Sequence, residues 1–97
     1  MAIQSFGDTT TEEFFYDGTL PSKGCGWKQQ ASVAARKLDM LDAAASLLDL
    51  RVPRSNHLKK LRGDLKGHYS IRINNQWRIV FRWTDQGPED VIITDYH

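Results

Sequence analysis

From Trp77 to Trp83 every second residue is large and apolar. Trp77, Ile79, Phe81 and Trp83 share one side of an extended chain, and Arg78, Val80 and Arg82 share the other. This is the two-residue period of a strand with one buried face. Just upstream, Ile71 and Ile73 alternate with Ser70 and Arg72. The two apolar sets must lie on the same face of a sheet, because a slip of one residue would turn one of them to water. The shortest connection that achieves this sets Ile73 against Trp77 and leaves Asn74-Asn75-Gln76 as a three-residue hairpin loop. The same register puts Arg72 opposite Arg78, and like charges facing each other across a ladder are unfavourable. A phosphate or a carboxylate nearby would relieve the repulsion. So would side chains that splay into water or meet acids such as Asp95.

The rest of the chain supplies partners for this hairpin. A third strand-like run spans Asp90 to Asp95, joined to the second by Asp85-Gln86-Gly87-Pro88. Val91, Ile93, Asp95 and His97 fall on one side of it, and Ile92, Thr94 and Tyr96 on the other; periodicity does not choose which side faces the core. His57 to Arg62 has the composition to begin a further strand, and Ile3 to Phe6 a short first one. Thr9-x-x-Glu12 and Thr10-x-x-Glu13 both fit a capping box, which predicts a short helix carrying Phe14 and Phe15 and ending at Gly18 and Pro21. Ser22 to Gly26 reads as a loop.

A long helix is predicted next, ending at Pro53. Trp27, Ala31, Ala34, Leu38, Leu41, Ala45 and Leu48 recur at alternating spacings of four and three and form one stripe. Gln29, Arg36, Lys37, Asp39 and Asp42 are expected mainly off it. Helices first and an antiparallel meander afterwards read as α+β, with N-terminal helices packed on a twisted antiparallel sheet. At 97 residues the chain is expected to be a single domain spanning 1–97.

Composition narrows the chemistry. The formal net charge is only +1, yet Arg51, Arg54, Lys59, Lys60, Arg62, Lys66, Arg72, Arg78 and Arg82 all lie in the second half. A nearly neutral protein with such a patch can still hold a phosphate backbone; scattered, solvated charge is the plainer reading. The single Cys25 cannot form an internal disulfide or a zinc knuckle. His57, His68 and His97 lack metal-ligand spacing, and no glycine-rich phosphate loop occurs. No metal and no cofactor is therefore expected. No run is long enough to cross a bilayer, and no secretory leader is visible, so the cytoplasm is the expected location.

Asn56 to Trp83, NHLKKLRGDLKGHYSIRINNQWRIVFRW, together with Ala35 to Ala44 in the long helix and the ending Asp95-Tyr96-His97, resembles the plasmid-maintenance killer proteins, the HigB branch of the RelE/ParE toxins. The L-[KR]-G-D-x-x-G-x-[YW]-S-I run followed by W-R-I-x-F is a specific signature, and the resemblance covers nearly the whole chain. It implies a RelE-like fold, ribosome-dependent cleavage of mRNA in the A site, and a helix-turn-helix, HigA-like antitoxin that carries operator DNA recognition with the toxin as co-repressor. Ribosome and mRNA are the implied targets.

Carried over position by position, Arg78 matches the arginine after the hairpin, and Asp95, Tyr96 and His97 match the acidic-aromatic-histidine end. Arg62 matches a basic position before Gly-Asp. Lys59 stands where some members have histidine, and His57 replaces a residue commonly arginine. The implied roles follow side-chain chemistry. His97 serves as acid or base, and Arg78 binds the phosphate and its transition-state charge. Tyr96 stacks on a base or positions the ribose, and Asp95 orients His97 or Arg78. Arg62 and Lys59 add positive potential, with Lys60, Arg72 and His57 as further RNA contacts. Two alternatives remain at this point: a ParE-like toxin that binds gyrase, and an inactive co-repressor that only binds its antitoxin.

Overall fold

The computed structural model describes residues 2–21, 26–65 and 67–95. It holds two α-helices, α1 (Thr9–Asp17) and α2 (Ala31–Ala43). These precede a sheet of β1 (Lys59–Lys60), β2 (His68–Arg72), β3 (Trp77–Thr84) and β4 (Gly87–Asp95). All pairs are antiparallel and the strand order is β1-β2-β3-β4, the meander that short loops require.

The hairpin register is the one that alternation demands. Ile71 faces Ile79, Arg72 faces Arg78, and the Ile73 amide donates to the Trp77 carbonyl across the loop. Ile71, Ile79 and Phe81 are completely buried. β4 joins with Ile79 against Ile93 and Arg78 against Thr94. Val91 and Ile93 therefore belong to the core face, and Ile92 and Thr94 to the face that carries Arg78. Between Val80 and Arg82 the β3–β4 ladder shifts register. Asp90 absorbs the extra residue at φ 54°, as a β-bulge does.

Phe14 of α1 and Ala34, Leu38 and Leu41 of α2 share one apolar cluster with Ile71, Ile79, Phe81, Val91 and Ile93. A buried hydroxyl ties α1 to the sheet: Thr11 Oγ1 accepts from the Ile93 amide at 3.1 Å.

Several local expectations are corrected. Ile3 to Phe6 forms a single parallel bridge, Phe6 with Val91, along the outer edge of β4 rather than a strand. The N-cap of α1 is Asp8, whose carboxylate accepts from the Thr11 amide at 2.8 Å, so neither threonine box sets the helix start. Trp27 is buried but precedes α2, followed by the 3₁₀ turn Lys28–Gln30.

α2 ends at Ala43, ten residues before Pro53. Ala44 is extended at ψ 130°, and the Asp49 carboxylate accepts from the amides of Ala45 and Ser46, starting a separate 3₁₀ turn at Leu47–Arg51. Leu48 is consequently 63% exposed, not core. Arg54–Asn56 is another 3₁₀ turn, and the expected strand at His57 to Arg62 shrinks to Lys59–Lys60. The loop before β4 tightens to Asp85-Gln86, because Thr84 pairs with Gly87. Lys37 lies on the buried side of α2, since it is three residues after Ala34 and four before Leu41.

Candidate functional site

Directly paired residues of an antiparallel ladder point to the same side of the sheet. Lys59, Ser70 and Val80 form one row, and Arg72, Arg78 and Thr94 the next. The face opposite the apolar cluster thus gathers cations from three strands.

Arg78 is the best-held of them. Its Nε donates to Ser70 Oγ at 2.7 Å, and Nη2 donates to the His57 carbonyl at 2.5 Å and more weakly to the Ser70 carbonyl at 3.4 Å. A guanidinium has five N–H donors; among the described residues Nη1 has no hydrogen-bond partner. Half-buried, Arg78 holds its proton less tightly than an ordinary arginine, through burial first and the charge of Arg72 second. Arg72 turns its guanidinium to the Asn75 side-chain oxygen in the hairpin loop. Among the described residues the ion pairs are Arg82 with Glu89 and Asp90, so neither member of the facing arginine pair has a carboxylate. The repulsion implied by the register is met by neutral acceptors on each side.

The His57 carbonyl reaches Arg78 because the backbone of His57 is left-handed, at φ 43° and ψ 56°. A residue other than glycine adopts that conformation only when its surroundings enforce it. Here the preceding turn is held by Asn56, fully buried, whose side-chain amide donates to the carbonyls of Leu50 at 3.1 Å and Val52 at 3.4 Å. The Lys37 amine donates to Asn56 Oδ1 at 2.5 Å. Lys37 is only 2% exposed. Its pKa is lowered by burial and then by Arg36, Arg72 and Arg78.

The residues singled out from the sequence fall into three groups. Arg78, Arg72 and His57 meet at one place, with His57 contributing its carbonyl rather than its ring. Lys59 and Lys60 are exposed on the edge strand β1, and Arg62 is exposed in the connection to β2. Asp95 ends β4 opposite Trp77, one rung from Arg78, and its carboxylate accepts from Gln76 Nε2 at 2.9 Å. Tyr96 and His97 lie outside the described residues. Ser70, Asn56 and Lys37 were missed. For Lys37 the three-and-four spacing on α2 was a usable signal; for Asn56 there was none.

A separate hollow of about 180 Å³ lies between α1 and α2, lined by Phe14, Phe15, Gly18, Ala35, Leu38 and Asp39. None of the candidate residues borders it. Among the described residues no cluster of three His, Cys, Asp or Glu side chains is arranged to hold a metal ion, and no helix is long and apolar enough to cross a membrane.

Comparison with known proteins adds four findings. Residues 4–97 match the family model of HigB-like toxins, described as the RelE-like toxin of the type II toxin-antitoxin system HigB. The chain is 52% identical over 89 residues to Toxin HigB-1 of Vibrio cholerae serotype O1, covering 88% of this chain and 86% of that one. It is also 45% identical over 51 residues to an uncharacterized protein of Haemophilus influenzae, covering 53% of this chain and 50% of that protein. In structure it resembles a chain of the YoeB-YefM complex from Staphylococcus aureus, with a TM-score of 0.53 at 20% identity, across 100% of this chain and 99% of that one. At that identity the likeness concerns the fold alone.

Proposed function

The chain belongs to the HigB-like toxin family, the RelE-like toxins of type II toxin–antitoxin systems, and from that premise we propose that it is a metal-independent endoribonuclease that cuts mRNA in the ribosomal A site. As a type II toxin it has an antitoxin partner. We further propose that this partner is a HigA-like helix-turn-helix protein through which the complex reaches operator DNA, that residues 1–97 are one toxin domain, and that it acts in the cytoplasm.

The observation that carries the nuclease reading is the setting of Arg78. A guanidinium is oriented by Ser70 and the His57 carbonyl, beside a second arginine and without a carboxylate partner among the described residues. Such a group is poised for a phosphate and for the charge that builds on it in the transition state.

Cleavage proceeds by attack of the ribose 2′-oxygen on the adjacent phosphorus. The bond to the 5′-oxygen breaks, leaving a 2′,3′-cyclic phosphate and a free 5′-hydroxyl. One proton leaves the 2′-hydroxyl and one reaches the departing oxygen. His97 exchanges one of these protons, since imidazole titrates near neutrality. Tyr96 stacks on a base, Asp95 orients His97, and Arg62, Lys59, Lys60 and Arg72 hold the strand. The set has no strong base, so the ribosome is needed to bend the message into line for attack.

Mapping mRNA 5′ ends after induction tests the proposal. New ends within translated messages are expected. DNA damage without new ends would mean gyrase binding instead, and neither effect would mean an inactive co-repressor. Arg78→Ala is expected to slow cleavage about a hundredfold or more. Both Arg78→Ala and His97→Gln should relieve growth arrest while antitoxin binding persists. Full toxicity of both variants would refute the site.

A further inference from the structure

Cations held away from water normally have an anionic partner, because the loss of hydration is large. Lys37 does not: among the described residues its amine has one acceptor, the neutral side-chain oxygen of Asn56. Both side chains are buried, at 2% and 0% exposure. An aliphatic residue at position 37 would fill the same space without burying a charge, but it would leave the buried Asn56 Oδ1 without its donor, so what the amine contributes is to be sought at Asn56.

The surroundings of Asn56 supply a reason. Its amide group is bound on both sides. Oδ1 takes the Lys37 amine, and Nδ2 holds the Leu50 and Val52 carbonyls. This fixes the 3₁₀ turn Arg54–Asn56 between the end of the helical region and the sheet. The next residue is His57, turned left-handed so that its carbonyl reaches Arg78 Nη2. From Lys37 the contacts therefore run through Asn56 and the adjoining backbone of His57 to the guanidinium of Arg78.

We propose that the buried Lys37–Asn56 pair is a positioning device for Arg78, clamping the turn that sets the following His57 carbonyl on the guanidinium. Lys37 does not touch the message; it acts through Arg78. The catalytic consequence depends on the nuclease reading, whereas the structural one depends on hydrogen bonding alone.

Two measurements on the full chain separate these consequences. In ¹⁵N NMR, the Arg78 guanidinium of the parent protein should give resolved signals that exchange slowly with water. Lys37→Met should keep the fold, with a melting temperature within a few degrees of the parent, yet speed that exchange at least about tenfold, because the His57 carbonyl is no longer held. Unchanged Arg78 signals in folded Lys37→Met would overturn the proposal. Should that variant not fold, Asn56→Asp takes its place. It keeps an acceptor for the amine but loses the bonds to the Leu50 and Val52 carbonyls, and it should loosen Arg78 likewise; unchanged signals there overturn the proposal too.

In single-turnover cleavage of mRNA on programmed ribosomes, Lys37→Met should lose at least about tenfold in rate while ribosome binding stays within about twofold. Combined with Arg78→Ala it should be no slower than Arg78→Ala alone, since residues that act as a unit are non-additive. Rate losses that multiply would assign Lys37 a role independent of Arg78 and reject the proposal. If the parent protein cuts no message, the nuclease reading has failed, and the guanidinium signals alone decide the fate of the clamp.

Discussion

Held out of water with no carboxylate partner among the described residues, the ammonium of Lys37 binds its proton less tightly in the folded chain than in the unfolded one. Below the lowered folded value both states are protonated and the destabilisation is complete. Between that value and the ordinary lysine value the unfolded chain carries more protons, so stability rises with pH. Urea unfolding at about pH 8 and about pH 10 should show the parent protein gaining on Lys37→Met as pH increases; a constant or opposite difference would contradict the assignment. Gly26 is a second residue with a definite test. A β-carbon there would overlap the indole ring of Trp77, which is itself packed against the core cluster. Gly26→Ala should therefore cost about 1–3 kcal/mol, the usual range for overpacking, read from the urea midpoint.

Among the elements, α1 owes its start to one carboxylate, and one buried hydroxyl adds to the docking that Phe14 provides. Asp8→Ala removes the cap on the Thr11 amide and should cost about 1 kcal/mol, whereas Thr9→Ala, at an exposed position inside the helix, should be close to neutral. The reverse ranking in thermal melts would restore the threonine as cap. Thr11→Val keeps the shape but leaves the buried Ile93 amide without its acceptor, at about 1–3 kcal/mol. In the sheet, the two-residue strand β1 is an edge with Lys59 and Lys60 both exposed. Short edges bearing lysine resist pairing with other chains, and Lys59 lies in the row next to the facing arginines.

For the whole molecule, a net charge of +1 conceals a separation. Glu12, Glu13, Asp17 and Asp39 are exposed on the two helices, while Lys59, Lys60 and Arg62 are exposed beside the sheet. The field, rather than the sum, steers a polyanion. Binding to programmed ribosomes should weaken steeply with salt. Lys59→Ala/Lys60→Ala should lower affinity irrespective of codon and flatten the log–log salt slope by about 0.7 for each phosphate that is no longer neutralised. An unchanged slope would remove β1 from the RNA path.

The alternating run at Trp77 to Trp83, the shorter one before it and the three residues between them were enough to specify strand pairing and the Arg72–Arg78 juxtaposition. A two-residue period on adjacent segments leaves one register that buries both apolar sets, and the short covalent link prevents any other. The L-[KR]-G-D signature and the W-R-I-x-F run carried the family in the same way. Local pattern could not say where the long helix stops, because Asp49 ends it by reaching back to amides that helical periodicity assigns to further turns. Nor could it say what becomes of Lys37 and Asn56. They lie 19 residues apart, each ordinary beside its neighbours. They become partners only when α2 and the turn after it close over the sheet, where a buried amine and a buried amide must find each other because no water is left to bind either.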